Sequence, residues 1–541
     1  MRYKLLSPVA LFFLVSSAIA EESVNLDVVH RIRQEATQNS KVMDHLFQLT
    51  EVTGPRLTNS PGFFKAADWV TKQLQDWGLE AHQETWGPFG RGWAYTRFSG
   101  QIIEPIGTQM IGVPMAWSPG TRGKVTGEVL VASMQNNADL ERYRGRLKGK
   151  IVFLGEGRDL TLSVAPVGAR YTDQELAQLA LAAPGRGGRG GRGGPPGTTA
   201  VNAGRGRGGA PNGNGGGNGG AGGQAFTNRL HEFLVEEGVA VVVRNGGTGS
   251  EAGTVFTSVN GSRDAKTPLP PPTAILATEH YNRVLRLLDA GTPVKMEFEI
   301  EAQFFDDRTD SVNVIGEIPG GAKRDEVVMI GAHLDSWHGG TGATDNAAGS
   351  AVMIEAMRIL KDLKLQMDRT VRIALWGGEE QGYLGSRAYV KDHFADRADM
   401  KVKPEHSKLS GYFNVDNGSG KIRGVYLQGN DGMRPLFEAW LKPFADMGAA
   451  TISIRDTNGT DHQSFDEVGL PGFQFIQDRL DYFTRTHHSN MDVYDRVQRD
   501  DMQQMAAIVA SLVYNAATRP DLLPREPLPP PVPARGGRGG N

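Results

Sequence analysis

The chain contains no cysteine in 541 residues. That absence excludes disulfides, thiolate metal sites and cysteine nucleophiles together, so any metal must be held by oxygen and imidazole ligands. Charge of one sign is also missing: the formal net charge of -3 exerts no general pull on nucleic acid or acidic lipid. Beyond the first residues there is no apolar run approaching the ~20 residues that a spanning helix needs. With 39% hydrophobic and 22% charged residues, the composition is that of a soluble globular protein, long enough for several folding units.

The first residues differ from the rest. Arg2 and Lys4 precede an apolar stretch over 5–15, and Ala18-Ile19-Ala20 stands before Glu21-Glu22. Positive end, short apolar core and small-residue cleavage site together predict a secretory leader over 1–20. The expected destination is a periplasm or the cell exterior, with no lipid-attachment cysteine behind the leader and no membrane contact after its removal.

Periodicity divides the remainder. Helical spacing is predicted over 26–38 and 64–77, with a turn-rich loop at Gly54-Pro55-Arg56-Leu57-Thr58-Asn59-Ser60-Pro61-Gly62 between them. Residues 21–100 are read as the N-terminal part of a catalytic domain. From 101 to 300 the pattern turns to short strands, at 127–131, 149–153, 239–243 and from 294, with helices at 227–237 and 281–288. Within this insert the run 185–223 is dominated by glycine with Arg186, Arg189, Arg192, Arg205 and Arg207. It carries too little apolar area to offset ordering its backbone and is expected to be a disordered loop. Arg-Gly-Gly repeats also occur in RNA-binding segments, but an exported chain seldom meets RNA, so no nucleic-acid partner is expected.

Residues 301–518 alternate strand and helix: strands at 312–315, 327–330, 371–376, 411–415 and 472–476, helices at 346–363 and 501–514. The fold class expected is α/β, a mixed, mostly parallel sheet with helices on both faces, carrying the β-rich insert. The tail 519–541, rich in proline and glycine, is expected to be disordered.

The chemistry-bearing residues follow the strands. His333 and Asp335 come after 327–330; Asp345-Asn346 follows Gly339-Gly340-Thr341-Gly342 and opens a helix; Glu379-Glu380 sits in Gly377-Gly378-Glu379-Glu380-Gln381-Gly382; Asp416 ends 411–415; His487-His488 lies in the last loop. Each has an ordinary reading alone: Asp345 as a helix cap, Glu379-Glu380 as a surface pair, the histidines as exposed polar groups. Strand ends of open α/β sheets form the crevice where ligands bind, and five such segments on successive strands favour a site.

Taken in order, His333-x-Asp335-Ser336-Trp337, Asp345-Asn346, Glu379-Glu380-Gln381-Gly382, Asp416 and His488-Ser489-x-x-Asp492 resemble the co-catalytic dizinc exopeptidases of the aminopeptidase Y and glutamate carboxypeptidase family. The likeness extends to Thr53-Gly54-Pro55-Arg56-Leu57 and to the insert, which is similar to a protease-associated domain. It implies a zinc exopeptidase fold and two zinc ions per chain. Asp345 would bridge them, with His333 and Asp416 completing one site and Glu380 and His488 the other. Glu379 would be the general base, Asp335 would orient His333, and the peptide bond after Asp345 would be cis. His488 is preferred to His487 because the family's ligand precedes Ser or Thr and stands four residues before an acid, here Asp492. Some relatives place a tyrosine shortly before the position of Asp461-His462, and this chain has Asp456-Thr457-Asn458-Gly459-Thr460 there; either His462 substitutes as the contact to the substrate oxyanion or the metal alone suffices. The implied activity is hydrolysis of dipeptides or short peptides by metal-activated water, with a homodimer as the implied assembly. Two other readings stand beside it: a glutaminyl-cyclase-like acyl transferase, and a non-catalytic, receptor-like relative.

Overall fold

A computed structural model describes residues 22–160, 164–183, 221–247 and 252–532. The expected leader, most of the Gly/Arg-rich run and the last residues of the tail lie outside them.

Two eight-stranded sheets form the molecule. In the first the strands lie in the order Glu80–Trp86, Ser311–Ile318, Arg369–Trp376, Lys323–His333, Leu409–Asn414, Gly472–Gln477, Ile422–Tyr426 and Thr451–Ser453. Its centre is parallel, from Arg369–Trp376 through Gly472–Gln477, and antiparallel pairs flank that centre. Central strands buried on both faces carry continuous apolar runs such as Val328-Met329-Ile330, in keeping with parallel strands covered by helices. One face is covered by Pro61–Asp76, Ala348–Asp362 and Arg499–Thr518, with Leu26–Gln38 packed outside the last two. The other is covered by Leu384–His393 and an aromatic cluster of Trp376, Tyr389, Tyr412 and Phe465. The expected mixed sheet with helices on both faces is what the chain forms.

The second sheet draws on residues 92–305, wider than the expected 101–300, because Gly92–Glu104 and Lys295–Phe305 pair along almost their whole length. Its parallel centre, Val125–Ala132, Ile151–Leu154, Val241–Asn245 and Thr273–Leu276, has a core on each face. The helices Ala221–Glu236 and Thr278–Asp289 flank it. The whole unit leaves the first sheet after Trp86 and returns at Ser311, and those two residues face one another across an antiparallel ladder.

Several boundaries shift for local reasons. The helix expected from 64 begins at Pro61, where proline at the first helical position loses no hydrogen bond and Ser60 caps the Phe63 amide. A helix the periodicity did not flag, Asp173–Ala180, starts with a capping box between Thr172 and Glu175. It belongs to the insert by sequence but packs on the edge of the first sheet: Ser453 Oγ donates to Leu179 O at 2.7 Å, and Arg170 pairs with Asp478 and Asp501, each at 2.8 Å. The tail is not free from 519 onward. Leu523 is buried in the main core, Asn430 Nδ2 donates to Pro524 O at 2.8 Å, and Arg525 donates to the carbonyls of His406 and Leu409. Proline-rich backbone needs no ladder partner, so side chains of the globular unit can tie it down. No helix among the described residues is long and apolar enough to cross a membrane.

Candidate metal centre

Register explains why the acidic and imidazole groups meet. His333 closes its strand opposite Trp376, and Gly331 is opposite Asn414, so three adjacent parallel strands end at one edge. His333, Glu379, Glu380 and Asp416 leave from that edge. The next parallel strand, Gly472–Gln477, leads into the loop with His487 and His488. Asp345 arrives from a tight turn at the start of Ala348–Asp362, and its peptide bond to Asn346 is cis. Gly378 has φ +73°, and a Cβ there would meet the Trp86 ring at 2.7 Å, so glycine is required for the glutamate loop to turn off its strand.

His333 Nδ1 lies 2.9 Å from the carbonyl of Asp335 and therefore carries a hydrogen, directing Nε2 at the acidic groups. Nε2 stands 3.2 Å from Asp345 Oδ1, 3.4 Å from Asp416 Oδ1 and 3.9 Å from Glu379 Oε2. On the other side, His488 Nε2 stands 3.2 Å from Asp345 Oδ2 and 2.9 Å from Glu380 Oε2. The two oxygens of Asp345 thus face different partners. His487 Nε2 is farther from Asp345, at 3.8 Å, and its ring stacks on that of His488. Groups with donor atoms close enough to share one ion include His333 with Asp345 and Glu380, His333 with Glu379 and Asp416, and Asp345 with both His487 and His488.

These donors suit a cation better than they suit one another. His333 Nε2, Asp345 Oδ2 and Glu380 Oε1 are buried without an aligned hydrogen bond, although the first two have a neighbour at 3.2 Å. Ligands of a tetrahedral zinc, each ~2.0–2.2 Å from the ion, lie ~3.3–3.6 Å apart, close to the spacings seen on both sides of Asp345. Charge argues the same way. Asp335, Asp345, Glu379, Asp416, Asp461 and Asp492 are all buried here. Burial of an imidazolium lowers its pKa, yet the facing carboxylates of Asp416 and Glu379 raise His333 well above the ordinary value, and Glu380 and Asp345 raise His488 to about 10. Burial, reinforced by the surrounding acids, raises Glu379 well above a usual carboxylic acid and Glu380 to about 7. The pocket is short of positive charge.

Supporting contacts fix the geometry. The Asp335 carboxylate is 3.6 Å from His333 Nδ1, farther than its own carbonyl, and it accepts from the amides of Glu379 at 3.2 Å and Glu380 at 3.4 Å and from the Thr58 hydroxyl at 2.8 Å. It therefore positions the glutamate loop as well as facing the imidazole. Asp492 accepts from the Thr344 amide at 2.6 Å and the Asp345 amide at 3.2 Å, holding the Asp345 turn. Arg56, fully buried, donates to the carbonyls of Leu49, Leu334, Thr341 and Gly342. Arg56 lies in the turn-rich loop that shares in the family likeness, but no residue type in that loop reveals the four carbonyls it binds.

His462 is fully buried: its Nε2 lies 3.1 Å from the Thr457 carbonyl, its Nδ1 has no hydrogen-bond partner among the described residues, and burial lowers its pKa to about 4. The adjacent Asp461 accepts from Ser386 Oγ at 2.6 Å, and its charge is among those acting on Glu379. The one-residue offset places the two side chains in different surroundings.

Residues 313–513 match the model of Peptidase family M28. Among curated proteins the chain is similar to carboxypeptidase Q of Rattus norvegicus, 31% identical over 254 residues, covering 47% of this chain and 51% of the relative. It is also similar to aminopeptidase YwaD of Bacillus subtilis, 28% identical over 41% of this chain and 48% of the relative. The matches thus span about half the length of these relatives. A solved structure described as a Peptidase M28 precursor from Shewanella amazonensis shares the fold, with a TM-score of 0.61 and 24% identity over 93% of this chain and 98% of that chain.

Proposed function

We propose that this protein is an exported zinc exopeptidase that hydrolyses dipeptides or short peptides. The observation that carries the reading is the division at Asp345: one oxygen faces His333, which also faces Asp416, the other faces His488, which also faces Glu380, and Glu379 stands 3.9 Å from His333. His333, Asp416 and Asp345 would hold one zinc ion, and Glu380, His488 and Asp345 a second. Bound there, the ions would acidify a water and polarise the scissile carbonyl.

The chain's own residues do the rest. Glu379 Oε accepts the proton of the attacking water and returns it to the leaving amine; its raised affinity for a proton in this buried, acidic setting suits both transfers. Asp335 holds the amides of Glu379 and Glu380, so base and ligand keep their spacing. Asp492 and Arg56 brace the loops on either side. Trp337 packs edge-on against the His488 ring at 5.9 Å and, with Ser489 and Gly340, walls a small cavity at Asp345. The second sheet acts as a protease-associated-like unit limiting access: Thr257 of that unit donates its amide to the His488 carbonyl at 2.7 Å, so it borders the site directly.

The test is metal analysis of the purified protein together with turnover of free, amino-blocked and carboxyl-blocked dipeptides with and without chelator. Two zinc equivalents and chelator-sensitive cleavage of peptides with free amino ends are expected. Chelator-insensitive hydrolysis, or cleavage inside long blocked peptides, would overturn the reading.

A further inference from the structure

His333, Glu379, Glu380 and Asp416 leave strand ends of the first sheet, whereas His488 lies in a loop whose backbone pairs with the unit built on the second sheet. Phe256 forms an antiparallel bridge with Ser489; the Thr257 amide donates to the His488 carbonyl at 2.7 Å, and the Asn490 amide donates to the Val255 carbonyl at 3.0 Å. Side chains reinforce this pairing. Thr257 Oγ1 donates to the same His488 carbonyl at 2.9 Å, the Val255 amide donates to Asn490 Oδ1 at 2.7 Å, and Asn490 Nδ2 donates to the Gly253 carbonyl at 3.1 Å.

These bonds fall where the backbone needs holding. His488 has φ +59°, in the left-handed region that a residue with a Cβ disfavours. In that conformation its Nε2 stands 2.9 Å from Glu380 Oε2 and 3.2 Å from Asp345 Oδ2. The direction of a carbonyl follows from ψ, so two donors on the His488 oxygen hold the backbone from which the imidazole is aimed. Both donors belong to Thr257, whose branched side chain has a restricted χ1. Its methyl serves a different loop: a Cβ on Gly339 would lie 2.3 Å from Thr257 Cγ2, so the methyl is pressed on the glycine-rich turn before Asp345. We propose that Thr257 is a positioning residue for the second zinc site, fixing His488 as a ligand, and that Asn490 keeps the segment carrying Thr257 in register. This role rests on the two-ion centre proposed above. It makes the site of Glu380 and His488 depend on the second unit, while the ligands His333 and Asp416 of the other site are set by strands of the first sheet.

The experiment is titration of the metal-stripped whole protein with zinc against a chromophoric chelator, which resolves two affinities without reference to turnover. Thr257→Val keeps the branched shape and the methyl but loses the hydroxyl. It should weaken one of the two ions by about tenfold or more, within the ~10–100-fold range for outer partners of metal ligands, and leave the other unchanged. Thr257→Ser, which keeps the hydroxyl and loses the methyl, should bind both ions as the parent does. Asn490→Ala should weaken the same ion as Thr257→Val. Unchanged affinities in Thr257→Val overturn the proposal, and so does equal weakening of both ions, which would mark a general loss of structure. The reverse order, with valine like the parent and serine weak, overturns it as well, since the methyl contact at Gly339 would then be what matters. Dipeptide turnover on the same samples keeps the two readings apart. A parent that holds two ions and loses one selectively in Thr257→Val, yet cleaves no peptide, removes the peptidase reading alone; a parent that cleaves peptides with two ions, both unaffected by the substitution, removes the role of Thr257 alone.

Discussion

Glu379 and Glu380 are chemically identical neighbours that their surroundings divide. Glu380 Oε2 sits 2.9 Å from His488, whereas Glu379 stands 3.9 Å from His333 and is ringed by acids. Glu379→Gln should therefore keep its metal content and lose about a hundredfold to ten-thousandfold in kcat, the range for removing a general base. Metal analysis beside steady-state kinetics checks this, and near-normal turnover would mean that the base is elsewhere. A second residue-scale prediction concerns Asp466, outside the metal centre. Burial, with Asp456, Glu467 and Glu526 nearby, raises its pKa from 3.8 to about 7. Between those values the folded chain holds a proton that the unfolded chain has released, so stability falls as pH rises through the window. Asp466→Asn escapes that loss. Its Tm should match the parent near pH 4 and exceed it at pH 8; an equal difference at both pH values would refute the assignment.

At the scale of elements, the site depends on loops tied to one another. Arg56 reaches four carbonyls from three stretches of chain, around Leu49, Leu334 and Thr341-Gly342. Arg56→Ala would leave those buried acceptors unpaired and should cost ~3 kcal/mol or more in urea unfolding. Arg56→Lys should recover little, because one ammonium cannot span the fork; recovery to parental stability would argue against this role. Strand ends and their residues were legible from the sequence, since apolar runs such as 371–376 mark buried parallel strands and the polar groups after them fall on one edge. Three features were not. Arg56 looked like loop because its partners are backbone carbonyls, which leave no trace in residue type. His462 and Asp461 could not be ranked, because which of two adjacent side chains points inward depends on the turn. The tail through 532 read as disordered on composition, whereas it is held by Asn430, Arg525 and the burial of Leu523.

At the scale of the whole molecule, the second unit is held at more than its two strand connections. The stretch around Arg170 leaves its own sheet and docks on the first unit, where Arg170 meets two buried carboxylates and Tyr171, Leu176 and Leu179 pack with Tyr426 and Ile476. Arg170→Ala should release this stretch and speed proteolytic cleavage between 164 and 183 several-fold, while cleavage elsewhere stays slow. Mass spectrometry of timed digests would read this out, and an unchanged cleavage pattern would show that the apolar contacts suffice without the ion pairs.

The pairing of Trp86 with Ser311 has a wider consequence. Topologically, everything between these residues is the loop of a β-hairpin, and the hairpin's register is set by its own strands. Lengthening or shortening the chain inside that loop, as in the Gly/Arg-rich run, changes neither which residues of the first sheet stand opposite one another nor where its strands end. The strand ends from which His333, Glu379, Glu380 and Asp416 leave are thereby set independently of the length of that loop.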